Sequence, residues 1–231
     1  MNVRRVTEFC EQLRLWDGEV VPRFAYVGQH REDLNHRSQK MSASGRVVSV
    51  NVGAPRSVRW RNREVLTSIF KDPVAGPVAV QGVNLVGDDQ ADRRVHGGPA
   101  KAVYAYAQED LDWWSLELGK VLTPGAFGEN LTVAGVAVTD AVIGECWRVN
   151  DVLLEVSKPR TPCYKLGIRM SDDTFPRRFS VAGRPGAYLR ILSAGTVTAG
   201  DSIIIESRPE HGMTVQSVAA SRKRCDRLAR Q

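Results

Sequence analysis

Residues 157–166 read "SKPRTPCYKL". One cysteine, Cys163, stands among Ser157, Lys158, Arg160, Thr161 and Lys165, on a backbone stiffened by Pro159 and Pro162. A cysteine meant for an apolar core keeps apolar neighbours, whereas a thiolate is stabilised by cations and hydrogen-bond donors. Pro162 suits the first position of a helix, because its missing N–H would have no partner there anyway. That would put Cys163 in the first helical turn, where free backbone N–H groups, Arg160 and Lys165 all favour an anion. Such surroundings lower a thiol pKa from ~8.5 into the range of about 3.5–7.5. The functional reading is a thiolate acting as metal ligand, sulfur carrier or nucleophile. The competing one is a buried structural cysteine, the commoner fate of a lone thiol, and the local charge favours function. Cys146, beside Trp147 in a strand pattern, reads as structural. Cys10 and Cys225 lie in polar ends and read as incidental.

Outward from this stretch, the chain is punctuated into short β-type runs. "RVVSVNV", "GPVAVQG", "KAVYAYA", "NLTVAGV", "CWRVND", "VLLEVSK", "AYLRILS" and "DSIIIES" are rich in β-branched or aromatic residues and bounded by Gly, Pro, Asp or Asn. Many short strands of this kind imply a closed or partly closed barrel, because closure removes exposed edges. One helix interrupts them. "AQEDLDWWSLELG" sets Leu111, Trp114 and Leu118 on one face, with Glu109, Asp110 and Asp112 near its start and Gly119 as its stop. A second short helix is expected after Pro162. The expected class is mostly β with a few helices (α+β).

The totals narrow the class further. The chain has 231 residues, 42% hydrophobic and 25% charged, enough to bury a sizeable core. No apolar run is long enough for a transmembrane helix, and the charge-interrupted N-terminus does not read as a signal peptide. The four cysteines have no metal-knuckle spacing, so a zinc site is not expected, and a reduced, cytoplasmic setting fits. The net charge is +6, of which residues 208–231 carry +4, residues 1–40 carry +1 and residues 41–207 carry +1. The expected organisation is an N-terminal extension over 1–40, with Met41 a plausible native start, a barrel domain over 41–207, and a basic tail over 208–231. The extension could equally be an ordinary helix, since Phe9, Leu13 and Trp16 fall at helical spacing. A near-neutral barrel without clustered cations and stacking aromatics argues against nucleic-acid binding as the main function.

Two further stretches carry chemistry. In "GDDQADRRVHGGPAKAVYAY", His96 precedes Gly97 and Gly98, which permit close backbone approach to a ligand. In "PGAFGENLTV", Glu129 and Asn130 open a strand after a glycine-rich turn. Each alone is a weak signal. In order, "VGDD", "HGGPAKAVYAY", "FGENLTV" and "PRTPCYKL", followed by "GRPGAYLRIL" and "VTAGDSI", resemble the MOSC family, named after the C-terminal domain of molybdenum cofactor sulfurase, and most closely its YiiM-type branch. The resemblance covers roughly residues 46–207.

The resemblance implies a mixed β-barrel with a few peripheral helices and an association with the molybdenum cofactor (molybdopterin). Its motif cysteine maps onto Cys163, which would ligate molybdenum in a reductase or carry sulfur in a sulfurase. YiiM-type members are associated with reducing N-hydroxylated bases such as hydroxylaminopurine to amines, a detoxification that requires an electron-donating reductase partner. A soft thiolate suits a soft metal site. His96 would supply a proton; Arg160, Lys165 or Arg184 would bind the pterin phosphate; Glu129 and Asn130 would meet the pterin edge. The alternative is a non-catalytic cofactor or sulfur carrier using a Cys163 persulfide. A cysteine hydrolase with His96 as base lacks an evident orienting residue. Homodimer formation stays open. The chain departs from the family pattern at Gly144-Glu145, Asn150 and Lys158, and its C-terminus looks like the beginning of a small helical domain that then stops.

Because composition shifts at Met41, removing residues 1–40 is expected to leave cofactor loading unchanged. The measurement is molybdenum bound per chain in a host competent for cofactor synthesis; a folded 41–231 protein that takes up none contradicts it.

Overall fold

The computed structural model describes residues 44–90 and 97–228, with the side chains of 225–228 excepted. Readings that rest on residues 1–40, and the one that rests on His96, lie outside the described residues. The chain divides into two compact units, and Ala43–Ala219 is the one that holds every strand described below.

Seven strands close a barrel. In chain order they are β1 (Gly45–Val52), β7 (Val103–Ala107), β8 (Leu131–Ala134), β9 (Cys146–Val149), β10 (Val152–Pro159), β11 (Ala187–Ser193) and β13 (Ser202–Ser207). They lie in the order β13-β9-β10-β11-β7-β8-β1, and β1 pairs back onto β13 through Gly45 opposite Ile203. Only the β7–β8 pair is parallel, which makes the barrel mixed; it needs a long crossover, and α1 (Gln108–Leu118) lies within it. β10 shows why the closure is stable: Val152, Leu154 and Val156 alternate as buried residues along one strand face. All eight runs read as strands in the sequence form strands, including β5 (Val78–Gln81), which pairs outside the barrel with β6 (Asn84–Leu85) and β12 (Gly195–Val197). Two features have no counterpart in that reading. One is a hairpin of β2 (Arg56–Trp60) and β3 (Arg63–Thr67) that makes its own two-stranded sheet. The other is the two-residue strand β4 (Asp72–Pro73), which pairs at the edge of β1.

Outside the barrel wall, α1, α2 (Tyr164–Met170) and α3 (Phe175–Ala182) share an aromatic core. As the sequence pattern predicts, α1 ends at Gly119, in a left-handed conformation at φ 61°. Trp114 stacks on Phe179 with ring centroids 5.8 Å apart, and Phe127 packs on Tyr106, Phe175 and Phe179. The buried polar tips are satisfied in series. The Trp114 indole N–H donates to the Tyr106 hydroxyl at 3.1 Å, and that hydroxyl donates to the Arg184 carbonyl at 2.9 Å. Val215, first residue of α4 (Val215–Leu228), is buried and its N–H reaches the Ala141 carbonyl at 2.9 Å.

Gly186 is where this core meets the barrel. It sits at φ 65°, and a Cβ there would lie 2.7 Å from the Ala105 carbonyl oxygen and as close to the Tyr106 ring. Gly186→Ala is therefore expected to destabilise the protein by more than about 1 kcal/mol, since both backbone conformation and space exclude a methyl. A urea titration should show a lower midpoint with an unchanged slope.

Candidate functional site

Cys163 caps α2. Its backbone is extended, at φ −121° and ψ 175°, while its carbonyl accepts the first helix-type bond from Leu166 N–H at 3.0 Å. The sequence reading put Pro162 at the first helical position and Cys163 inside the first turn. The helix instead starts at Tyr164, because an extended residue that receives the first bond is by definition the cap. The thiol is half-buried in the wall of a cleft.

Residues from six separate segments line that cleft. Thr161, Cys163 and Lys165 come from the stretch that follows β10, and Arg160 from its very start. Thr67, Ser68, Ile69 and Lys71 form the opposing wall after β3, with Asp88, Asp89 and Gln90 beside them. Tyr104 of β7, Tyr188 of β11, and Phe127, Gly128 and Asn130 ahead of β8 complete the lining, with Lys101 at one side. Among the described residues, no three His, Cys, Asp or Glu side chains converge as a metal cage.

Arg160 is the unusual member. It is only 7% exposed, its guanidinium carbon lies 5.2 Å from the Tyr104 ring centroid and 5.4 Å from that of Phe179, and its Nη1 has no hydrogen-bond partner. Burial opposes its charge, but Tyr104, Tyr188 and Cys163 outweigh that and hold its pKa above the ordinary arginine value. Burial also pushes the hydroxyls of Tyr104 and Tyr188 up, against the pull of Arg160, and the Tyr104 hydroxyl donates to the Pro185 carbonyl at 2.9 Å. The Ser68 hydroxyl, in the opposite wall, is buried and unpartnered as well. Unsatisfied buried polar groups are rare in folded proteins, and two in one cleft mark a place made for a polar ligand.

The floor is an ionic knot. The buried Asp88 carboxylate pairs with Lys71 and also accepts from the Gly53 N–H at 2.9 Å and the Asn130 amide at 2.8 Å. Burial lowers the Lys71 pKa below the usual lysine value, against the opposing pull of Asp88. Asn130 is fully occupied in turn. Its amide nitrogen also reaches the Asn51 carbonyl at 3.3 Å, and its side-chain oxygen accepts from the Tyr104 N–H at 3.1 Å.

The structure brings Cys163, Arg160, Lys165 and Asn130 together and places other candidates elsewhere. Glu129 is fully buried and lines no part of the cleft. Its carboxylate accepts from the N–H groups of Gly125 at 2.6 Å and Phe127 at 3.0 Å, and from Thr132 Oγ1 at 3.2 Å. Burial raises its pKa, and those bonds pull it back. It shapes the loop and does not face a ligand. Arg184 lines a different hollow, where it pairs with Asp110 and stacks at 4.6 Å on Trp113. Gly97 and Gly98 are not in the lining either. Gly98, at φ 92° and ψ 169°, turns the chain into the short 3₁₀ segment Pro99–Lys101 that delivers Lys101 to the cleft. Lys71, Ser68, Tyr104 and Tyr188 were missed. A lone cation inside "SIFKDP" was the available signal for Lys71. Cys146 does behave as a structural thiol: burial raises its pKa, and its sulfur lies 3.7 Å from the Gly144 carbonyl. Among the described residues, no helix is long and apolar enough to cross a membrane.

The closed mixed barrel is an architecture that known proteins share. The MOSC domain model matches residues 92–204. The uncharacterized protein YflK of Bacillus subtilis is 37% identical over 170 residues, covering 74% of this chain and 77% of YflK. Protein YiiM of Escherichia coli is 32% identical over 157 residues, covering 67% of this chain and 70% of YiiM. A Gibberella moniliformis protein named "Reductase" is 33% identical over 159 residues, which are 67% of this chain but 28% of that longer protein. The crystal structure of YiiM from Geobacillus stearothermophilus superposes with a TM-score of 0.62 at 29% identity, over 78% of this chain and 90% of that one. The chain belongs to the MOSC domain family, on its YiiM-type branch.

The Asp88–Lys71 pair yields a stability prediction, because removing one partner strands a buried charge. Asp88→Ala is expected to destabilise by about 3–5 kcal/mol. Pairing it with Lys71→Met should recover part of that loss, the rest staying with the Gly53 N–H and Asn130 amide that lose their acceptor, as read by urea denaturation of the single and double variants.

Proposed function

We propose that the protein binds the molybdenum cofactor in this cleft and reduces N-hydroxylated bases or related N-hydroxylated compounds to amines. The observation that carries the reading is the buried Arg160 guanidinium, with a bare Nη1, in the same cleft as Cys163. A phosphorylated pterin offers the anion that such a nitrogen lacks, and molybdenum is a soft enough metal for a thiolate. The donor set therefore fits the group. Family membership and the relative named "Reductase" support the same reading.

When bound, the cofactor supplies the two electrons that, with two protons, convert an N–OH group to an amine and water. Cys163 holds the metal. Arg160 and Lys165 hold the phosphate, and Ser68 is a further donor to it. The Tyr188 hydroxyl, kept protonated by burial, can donate to a polar ligand without changing its charge. His96, one residue before the Gly97-Gly98 turn, is the candidate to deliver a proton to the departing hydroxyl oxygen. Arg184 and Glu129 have no part in this scheme, since both are committed elsewhere.

The test compares cofactor-loaded wild type with Cys163→Ser, using an artificial electron donor and following amine formation from hydroxylaminopurine. The substitution exchanges a soft ligand for a harder, less acidic one, so activity should fall to background while some cofactor stays bound. Equal activity in the two proteins overturns the ligand role. A persulfide on inactive, loaded wild type would favour the sulfur carrier.

A further inference from the structure

Charge is segregated within the barrel domain. Residues 41–207 sum to +1. The β2–β3 hairpin, residues 56–67, carries four arginines against one glutamate, a net of +3. Residues 164–182, spanning α2 and α3, carry Lys165, Arg169, Arg177 and Arg178 against Asp172 and Asp173, a net of +2. These two segments thus hold +5, and the rest of 41–207 holds −4.

The two basic segments form one face. Arg61 at the hairpin turn bonds Asp173 through its Nε at 2.9 Å. Phe70, just past the hairpin, lies under Arg56 at 3.7 Å and under Arg169 of α2 at 5.3 Å. Asp172 is taken by Arg178 at 3.5 Å. Both acids of the α2–α3 link are therefore spent inside the face. Among the described residues, Arg59, Arg63 and Arg177 are exposed and make no ion pair, although Arg59 stands opposite Glu64 in the hairpin register. Two large apolar side chains lie on the same segments, Leu66 at 52% and Tyr164 at 50% exposure. The face borders the cleft on both sides: the hairpin runs directly into Thr67, Ser68 and Ile69, and Cys163 caps α2.

We infer that this basic face is the docking surface for an acidic redox protein that delivers electrons to the cleft. The inference rests on the reductase reading. Electrons must enter beside the cofactor, and this face adjoins the Cys163 side of the cleft. Cations at the rim with apolar anchors among them suit an acidic protein partner, since charge complementarity steers encounter and buried apolar side chains hold the complex. Nucleic acid is the poorer occupant. Trp60 is half-buried rather than offered for stacking, and Arg56 and Arg61 are already engaged.

The test uses the full cofactor-loaded chain and its Arg59→Glu/Arg63→Glu/Arg177→Glu variant, none of whose altered residues lines the cleft. Two acidic donors serve as probes, a flavodoxin and a plant-type ferredoxin, each fluorescently labelled for binding by anisotropy and reduced for turnover. Wild type should bind at least one donor, more weakly as salt rises, and the variant should lose about tenfold or more in affinity, with its donor KM raised to match. Turnover with reduced methyl viologen, a small donor that needs no docking face, should be unchanged in the variant. Equal donor affinity in both proteins, or no binding of either donor to wild type, overturns the inference. Tight binding of a DNA duplex that the variant loses, without donor binding, assigns the face to nucleic acid and overturns it too. Absence of turnover with viologen in loaded wild type defeats the reductase reading itself, and with it the electron donor as occupant.

Discussion

The cleft depends on a single buried carboxylate. Asp88 gathers Lys71, the Asn130 amide and the Gly53 N–H, and so ties the end of β1, the segment after β3 and the loop before β8 to one point. Asn130 passes the constraint onward by holding the Tyr104 backbone. Without that carboxylate, a buried ammonium and a buried amide would face each other's donors with nothing to accept them, and three strand connections would lose their common anchor. The aromatic core does the complementary work from outside the barrel. Phe127 and Tyr104 belong to both core and cleft lining, so packing of α1 and α3 fixes the same wall that Asp88 fixes by charge.

Arg160 shows how that framework tolerates an incompletely satisfied cation. The faces of Tyr104 and Phe179 replace part of its lost water, yet Nη1 is left unmet. An incompletely satisfied buried charge is unfavourable for folding alone. Its presence makes sense where a ligand completes the shell, and the rigid walls keep the nitrogen from swinging out to solvent.

Much of the fold was legible because strand alternation is a local signal. β10 shows it within a few residues, β1, β7, β8 and β11 are locally rich in β-branched or aromatic residues between turn residues, and the α1 stripe with Gly119 is equally local. The β2–β3 hairpin was missed because "RSVRWRNREVLT" is dominated by arginines, and its only buried side chains are Val65 and Thr67. The α3 helix was missed because Pro176 and three polar residues obscure a stripe made of Phe175 and Phe179 alone. For the site, motif position located Cys163 and Asn130, but residue type could not assign roles. Glu129 and Arg184 have the right chemistry for a pterin and spend it internally. A carboxylate next to two free N–H groups of its own loop, or a guanidinium beside a buried aspartate, is satisfied before any ligand arrives. That outcome is decided by long-range packing and leaves no mark in the neighbouring letters.

The seam of the barrel also orders events in time. β13 bridges β1, through Ser202 and Ile203, and β9, through Ile204 to Ser207, so the barrel remains open until that strand has been made. Contacts so distant along the chain form slowly, because the loop between them must first be closed. A chain still emerging from the ribosome without Ser202–Ser207 exposes two unpaired edges, at β1 and at β9. A chain stalled before β13 is therefore exposed to edge-to-edge aggregation.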